Sequence, residues 1–272
     1  MMNLMILLVF LCLLVGLGYL VYRRQSSELQ RHQKQGLETA CHLLEWIKLL
    51  QQHRGITTAM FAGQNNSSTK LEVLALRIEQ RLESLDNNPL MTKQQHWQNI
   101  KLKWQSLKKH QSSAGVLDNF ERHCDLLLDV HALIQDLMDD YGLTTAHQDE
   151  QRLLAKRTFS QLPSLIENLG QLRALTAHAA ANNGCITAFR LHLQFLIEQL
   201  SRQQNTLQQS TEQDDSLGIL INSLLSRVKN EILQTEYIEV KPEEMFRAVT
   251  LVMETGYSDI EAGVHQLNGV QT

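Results

Sequence analysis

The sequence is poor in residues that interrupt helices. Its 272 residues include three prolines and thirteen glycines, few for this length, which argues against a loop-rich fold. Aromatic residues are scarce, at 6%. No stretch alternates apolar and polar residues over several positions, so no sheet is expected. The net charge is a mild -4 with Lys and Arg spread along the chain, and nothing builds the basic face that a nucleic-acid partner needs. Four cysteines are too few for a disulfide scaffold. Cys12 lies in an apolar run, and Cys41, Cys124 and Cys185 are isolated in helical patterns, so all read as reduced, structural thiols.

Catalytic signatures are also missing. There is no Gly-rich phosphate loop, no G-x-S-x-G elbow and no H-E-x-x-H helix. The eleven histidines show no metal spacing; His123, Cys124 and His131 are close in sequence but do not share one helix face. No carboxylate pair suits acid–base work. The reading is therefore not an enzyme, with no cofactor and no metal.

What the chain has in abundance is Leu, Gln, Glu, Ala and Lys, the composition of long helices. Residues 4–22 form an uncharged, almost wholly apolar run, ~28 Å long as a helix and close to the thickness of a bilayer core. It lacks the leading positive charge and the cleavage site of a signal peptide, so it reads as an uncleaved single-pass anchor. Arg23, Arg24, Arg31 and Lys34 follow it and none precedes it, which places the body in the cytoplasm. Tyr19 and Tyr22 suit the interface at that end. A long helix then runs over 26–62, weakened locally at Gly36 and Gly55. Breaks follow at 63–69, at Asp86 to Pro89 with Pro89 opening the next helix, at 112–115 with Asp118 as cap, and at 142–148. Pro163 is expected to kink or divide the helix that starts near Asp149, and Asn182-Asn183-Gly184 is a stop signal. Helices over about 186–208, 217–237 and 243–267 complete the chain. The fold class is all-α: about eight helices after one N-terminal transmembrane helix. The helical body, 26–268, is either one antiparallel bundle or two stacked halves of about 26–141 and 149–268.

One stretch carries the functional argument. Leu37, Ala40, Leu44, Ile47, Gln51, Arg54, Thr58 and Phe61 recur at steps of three and four, and so share one helix face. Arg54 is out of place there, because a buried guanidinium is costly unless paired. Arg54-Gly55-Ile56-Thr57 is echoed by Arg173-Ala174-Leu175-Thr176. An arginine on a helix is ordinarily a solvated charge or the partner of a nearby carboxylate. The repeated context supports a second reading, in which two helices each aim one arginine at a shared small anion. The guanidinium stays charged and presents a planar fork that matches nitrate or a carboxylate. Thr57, Thr58 and Thr176 would add neutral donors, and His53 and His178 are further candidates. Two unpaired arginines would repel each other. On that basis either Arg54→Ala or Arg173→Ala leaves the unliganded fold as stable as before, or more so.

At these residues the chain resembles the nitrate- and nitrite-sensing domain family, all-helical sensory modules of bacterial receptors and regulators. The resemblance rests on Gln52-His53-Arg54-Gly55-Ile56-Thr57, on Gly170-Gln171-Leu172-Arg173-Ala174-Leu175, and on Pro242-Glu243-Glu244-Met245-Phe246 with Thr250. It implies an anion-contacting role for Arg54 and Arg173, with Arg77 as a weaker carry-over. His53 stands where the family usually has an acidic or other polar residue. The implied ligand is nitrate, nitrite or another small anion, or none is bound. The implied setting is the bacterial inner membrane, with a signalling partner protein and a homodimer as the possible assemblies. The alternative is a structural or scaffolding bundle at the membrane that binds no ligand.

Overall fold

A computed structural model of the chain describes residues 2–61, 68–110, 115–144, 149–209 and 216–270, with no side-chain description for 2–12, 26, 68, 110, 209 and 270. Among the described residues there are nine α-helices and no strand. They are α1 (Met2–Phe61), α2 (Ser68–Asp86), α3 (Trp97–His110), α4 (Val116–Asp140), α5 (Asp149–Lys156), α6 (Leu162–Ala181), α7 (Thr187–Gln209), α8 (Ser216–Val228) and α9 (Pro242–Val270). The all-α bundle expected from composition is what forms.

Two helices organise the packing. The distal part of α1 lies against α2, α4 and α6, while α6 lies against α1, α7 and α9. Leu37, Ala40, Leu44, Ile47, Gln51, Arg54 and Thr58 are buried along one face of α1, and only Phe61, at its end, is exposed. Helix α6 is buried on nearly every side, as expected of a helix that is apolar almost all round. One hydrophobic core runs through both sequence halves, from Leu37 to Leu267.

Gly36 and Gly55 do not interrupt α1, which runs unbroken from Met2 to Phe61. Gly36 instead admits Tyr141: a β-carbon there would lie 2.5 Å from the Tyr141 Cβ. Pro89 opens no α-helix. It precedes a 3-10 turn at Met91–Lys93, and α3 starts only at Trp97, whose indole N–H donates to Asp86 Oδ1 (2.9 Å). The residue capping α4 is Gly115, and Asp118 sits in the first turn, where it pairs with Arg122. The stop at Asn182 to Gly184 forms as the sequence indicates, with Asn183 at φ 48° and the Gly184 N–H donating to the Ala179 carbonyl (3.0 Å). Helix α8 ends sooner than expected, in a π turn over Lys229–Leu233. Most of the loop expected at 63–69, the break at 112–114 and the turn at 145–148 lie outside the described residues.

Pro163 divides its helix by a specific device. Between α5 and α6 the backbone forms a π turn over Arg157–Gln161, with the Leu162 N–H reaching back to the Arg157 carbonyl. Pro163 has no N–H to offer the carbonyl of Phe159 four residues earlier. That carbonyl accepts from Gln135 Nε2 on α4 instead (2.7 Å).

Among the described residues no helix is long and apolar enough to cross a membrane. The anchor expected over 4–22 therefore has no support there, and its first residues, through Cys12, lie outside the described side chains. From Leu13 to Tyr22 the helix is exposed, including Leu13, Leu14, Val15, Leu17, Leu20 and Val21.

Candidate functional site

The two arginines lie on facing helices, α1 and α6, and both are buried: Arg54 is 0% and Arg173 4% exposed. Glycines make the close approach possible. A β-carbon at Gly170 would stand 2.8 Å from Arg54 Nη2, and one at Gly55 would stand 3.8 Å from Arg173 Nη2. Each guanidinium thus reaches the glycine of the other motif.

Their surroundings differ sharply. Arg54 is paired with Glu167 of α6, with Nη1 to Oε1 at 2.5 Å and Nη2 to Oε2 at 3.2 Å. The carboxylate also accepts from Gln51 Nε2 (2.8 Å) and Gln171 Nε2 (2.9 Å). Both of its oxygens are therefore satisfied twice, as a buried carboxylate requires. Burial opposes the charge on both partners, but their mutual attraction outweighs it. Arg54 is held above its ordinary pKa and Glu167 below the usual carboxylate range.

Arg173 has no carboxylate within ion-pair distance among the described residues. Its Nη1 donates to Thr250 Oγ1 (3.2 Å) and its Nη2 to the backbone carbonyl of Gln51 (3.3 Å). The guanidinium carbon lies 4.7 Å from the centre of the Phe246 ring, and Nε is buried without a partner. Burial, then repulsion from Arg54, pushes its pKa down to about 10, so it remains a cation at neutral pH. The Thr250 hydroxyl proton goes to the Phe246 carbonyl (2.8 Å), which leaves its oxygen free to accept from Arg173.

Gln51 joins the two arginines. Its amide holds Glu167, its main-chain carbonyl holds Arg173, and its side-chain oxygen accepts from the Tyr257 hydroxyl of α9 (2.7 Å). On the other side Gln171 Oε1 accepts from His192 Nε2 of α7 (2.9 Å). One buried hydrogen-bonded cluster therefore touches α1, α6, α7 and α9.

The remaining expected site residues fall elsewhere. The Thr57, Thr58 and Thr176 hydroxyls are buried but donate to carbonyls of their own helices one turn back, so their protons are not aimed at an anion. His53 faces α4, where its Nδ1 meets His123 Nε2 at 2.8 Å. His123 Nδ1 lies 2.7 Å from the Asn119 carbonyl and must donate to it. His123 Nε2 is then the acceptor, His53 Nδ1 the donor, and the buried, partnerless His53 Nε2 carries a lone pair. Burial lowers the His53 pKa to about 4. His178 stands near the end of α6 against Phe189. Arg77 is exposed on α2. No group of three or more metal-ligating side chains occurs among the described residues.

Sequence reasoning passed over Glu167 and Tyr257, quoted Gln171 only as part of the second motif, and took Gln51 only as a core-edge residue. A signal for Glu167 was present: it and Arg173 are the only Asp, Glu, Lys or Arg residues in α6. A lone carboxylate in a helix that must be buried needs a cation. Compared with protein-family models, curated proteins and solved structures, the chain matches none, so the chemistry of this cluster rests on its own residues.

Proposed function

We propose that this protein is a membrane-held receptor for a small oxyanion, and not an enzyme. Arg173 is the residue that receives the ligand. The reading is carried by the contrast between the two arginines: both are buried and both keep an unpartnered Nε–H, but Arg54 has a buried carboxylate and Arg173 has none. A planar oxyanion beside Arg173 would supply the missing counter-charge and accept from its fork. Nitrate and nitrite fit that description and are what the resemblance to the nitrate- and nitrite-sensing family implies. Arg54 acts at a distance, as part of the frame. Because Arg173 is held by Thr250 of α9 and by Gln51 of α1, an anion that draws its fork away shifts α9 against α1. A partner protein, or a second copy of this chain, would read that shift. The anchor over 4–22 keeps the body on the cytoplasmic side of the bacterial inner membrane.

The Arg54–Glu167 pair by itself favours a second reading, a ligand-free scaffold, since a neutralised internal pair needs no anion. Thermal unfolding of the full chain in mild detergent distinguishes the two. Nitrate or nitrite at ~100 times its dissociation constant stabilises by about 2.7 kcal/mol, a rise in Tm of roughly 5 °C for a chain of this size. Arg173→Met is expected to abolish the rise and Arg77→Ala to retain it. A wild-type Tm that ignores both anions would leave the scaffold.

A further inference from the structure

We propose that Glu167 fixes the valence of the ligand: with it in place, the cluster accepts singly charged anions and rejects doubly charged ones. This rests on Arg173 being the anion site.

Buried charge decides the valence. Facing the cluster from α1 are Arg54 and Gln51. Cys124 and His131 face it from α4, Glu167, Gln171 and Arg173 from α6, His192 from α7, and Thr250 and Tyr257 from α9. Burial holds the Cys124 thiol and the Tyr257 phenol protonated, and disfavours the charged forms of His131 and His192. Among the described residues the buried charged groups that remain are two cations, Arg54 and Arg173, and one anion, Glu167. Glu254 also attracts Arg173 and Lys48 of α1 lies with its Nζ 4.7 Å from the centre of the Tyr257 ring, but both are exposed and screened by solvent. The interior therefore carries one uncompensated positive charge. A singly charged anion neutralises it. A doubly charged anion leaves one negative charge buried in its place, which is no better than the starting state and adds the cost of removing a dianion from water.

Glu167 is suited to this role because it does not take part in ligation. Its four hydrogen bonds commit both oxygens to Arg54, Gln51 and Gln171. It acts on the ligand only through the charge it contributes, which makes it a specificity-determining group and not a contact. Glu167→Gln keeps the side-chain shape and removes that charge. The cluster then carries two uncompensated positive charges and suits a dianion.

The experiment is titration calorimetry of the full chain in mild detergent, at constant ionic strength, with nitrate, nitrite, formate and sulfate. Formate is strongly hydrated for a singly charged anion, so it separates the effect of charge from ease of dehydration. Wild type is expected to bind the three singly charged anions, with sulfate weaker by about tenfold or more. In Glu167→Gln the preference for sulfate over nitrate should rise by about tenfold or more. Sulfate binding wild type as tightly as nitrate and formate would overturn the inference, as would an unchanged ratio in a folded Glu167→Gln. Where that variant does not fold, the wild-type ratio alone decides. If wild type binds none of the four, the Arg173 site itself is absent and this inference goes with it.

Discussion

At the scale of single residues, two arginines in similar local sequence have opposite roles. Arg54 is the cation that Glu167 needs. Arg54→Ala leaves a carboxylate buried with only amide donors, and the expected loss is about 3–5 kcal/mol. Arg173→Met removes a cation that has no carboxylate partner, while Thr250 keeps its bond to the Phe246 carbonyl. The expected change is about 1 kcal/mol or less, or a gain in stability. Urea unfolding of both variants checks the asymmetry, and equal losses would contradict it. The expectation that either arginine is dispensable in the unliganded fold takes no account of Glu167, whose pairing with Arg54 makes Arg54 the costlier of the two to remove on this argument. The histidine pair makes a second prediction. The native state keeps His53 neutral, with a pKa near 4, whereas the unfolded chain takes up a proton near 6.5. Its contribution is complete above pH 6.5 and is lost as the pH falls toward 4, roughly 3 kcal/mol in all. Glu167, whose pKa is lowered from 4.5, adds a further loss as the pH drops below that value. The urea midpoint should therefore fall between pH 7 and pH 5, and a flat midpoint would rule the assignment out.

At the scale of elements, what was legible followed periodicity and what was not followed long-range contact. The buried face of α1 could be read from steps of three and four, from Leu37 to Thr58. The stop after α6 was legible because Asn and Gly tolerate positive φ. The Arg54–Glu167 pair was not, because it joins helices far apart in the chain. Nor was the His53–His123 pair, which turns His53 away from the anion site. Glycines in α1 read as weak points, yet they mark where Tyr141 and Arg173 come close. The break at Pro163 was legible, but not its form. Its π turn depends on Gln135, since that amide serves the Phe159 carbonyl. Gln135→Ala should cost about 1–2 kcal/mol. In a Pro163→Ala background, where residue 163 regains an N–H, the same change should cost less. Additive losses in this double-mutant cycle would dissociate the glutamine from the proline.

At the scale of the whole molecule, the question is what surrounds the first part of α1. Only from Gly36 onward does α1 enter the bundle, so the preceding turns stand almost clear of it. Gln33 touches back, donating to the Gly142 carbonyl (3.4 Å), and His32 stacks on Tyr141. Beyond them lie exposed Leu13, Leu14, Val15, Leu17, Leu20 and Val21. An exposed apolar surface of this kind marks a site of membrane or protein contact. Under the proposed function the membrane is what covers it: the apolar run expected as an anchor over 4–22 is followed at once by Arg23 and Arg24, which would favour the cytoplasmic face. On this reading the full chain stays with bacterial membranes through an alkaline wash. A reporter active only in the periplasm, fused after Thr272, stays silent. Leu14→Arg with Leu17→Arg places two charges in the apolar run at about 2.5–3.5 kcal/mol each, and should release the protein to the soluble fraction with its helical content intact. Wild-type protein recovered as a soluble oligomer would instead assign this surface to a partner helix. Periplasmic reporter activity would invert the topology and place the Arg173 cluster on the opposite side of the membrane.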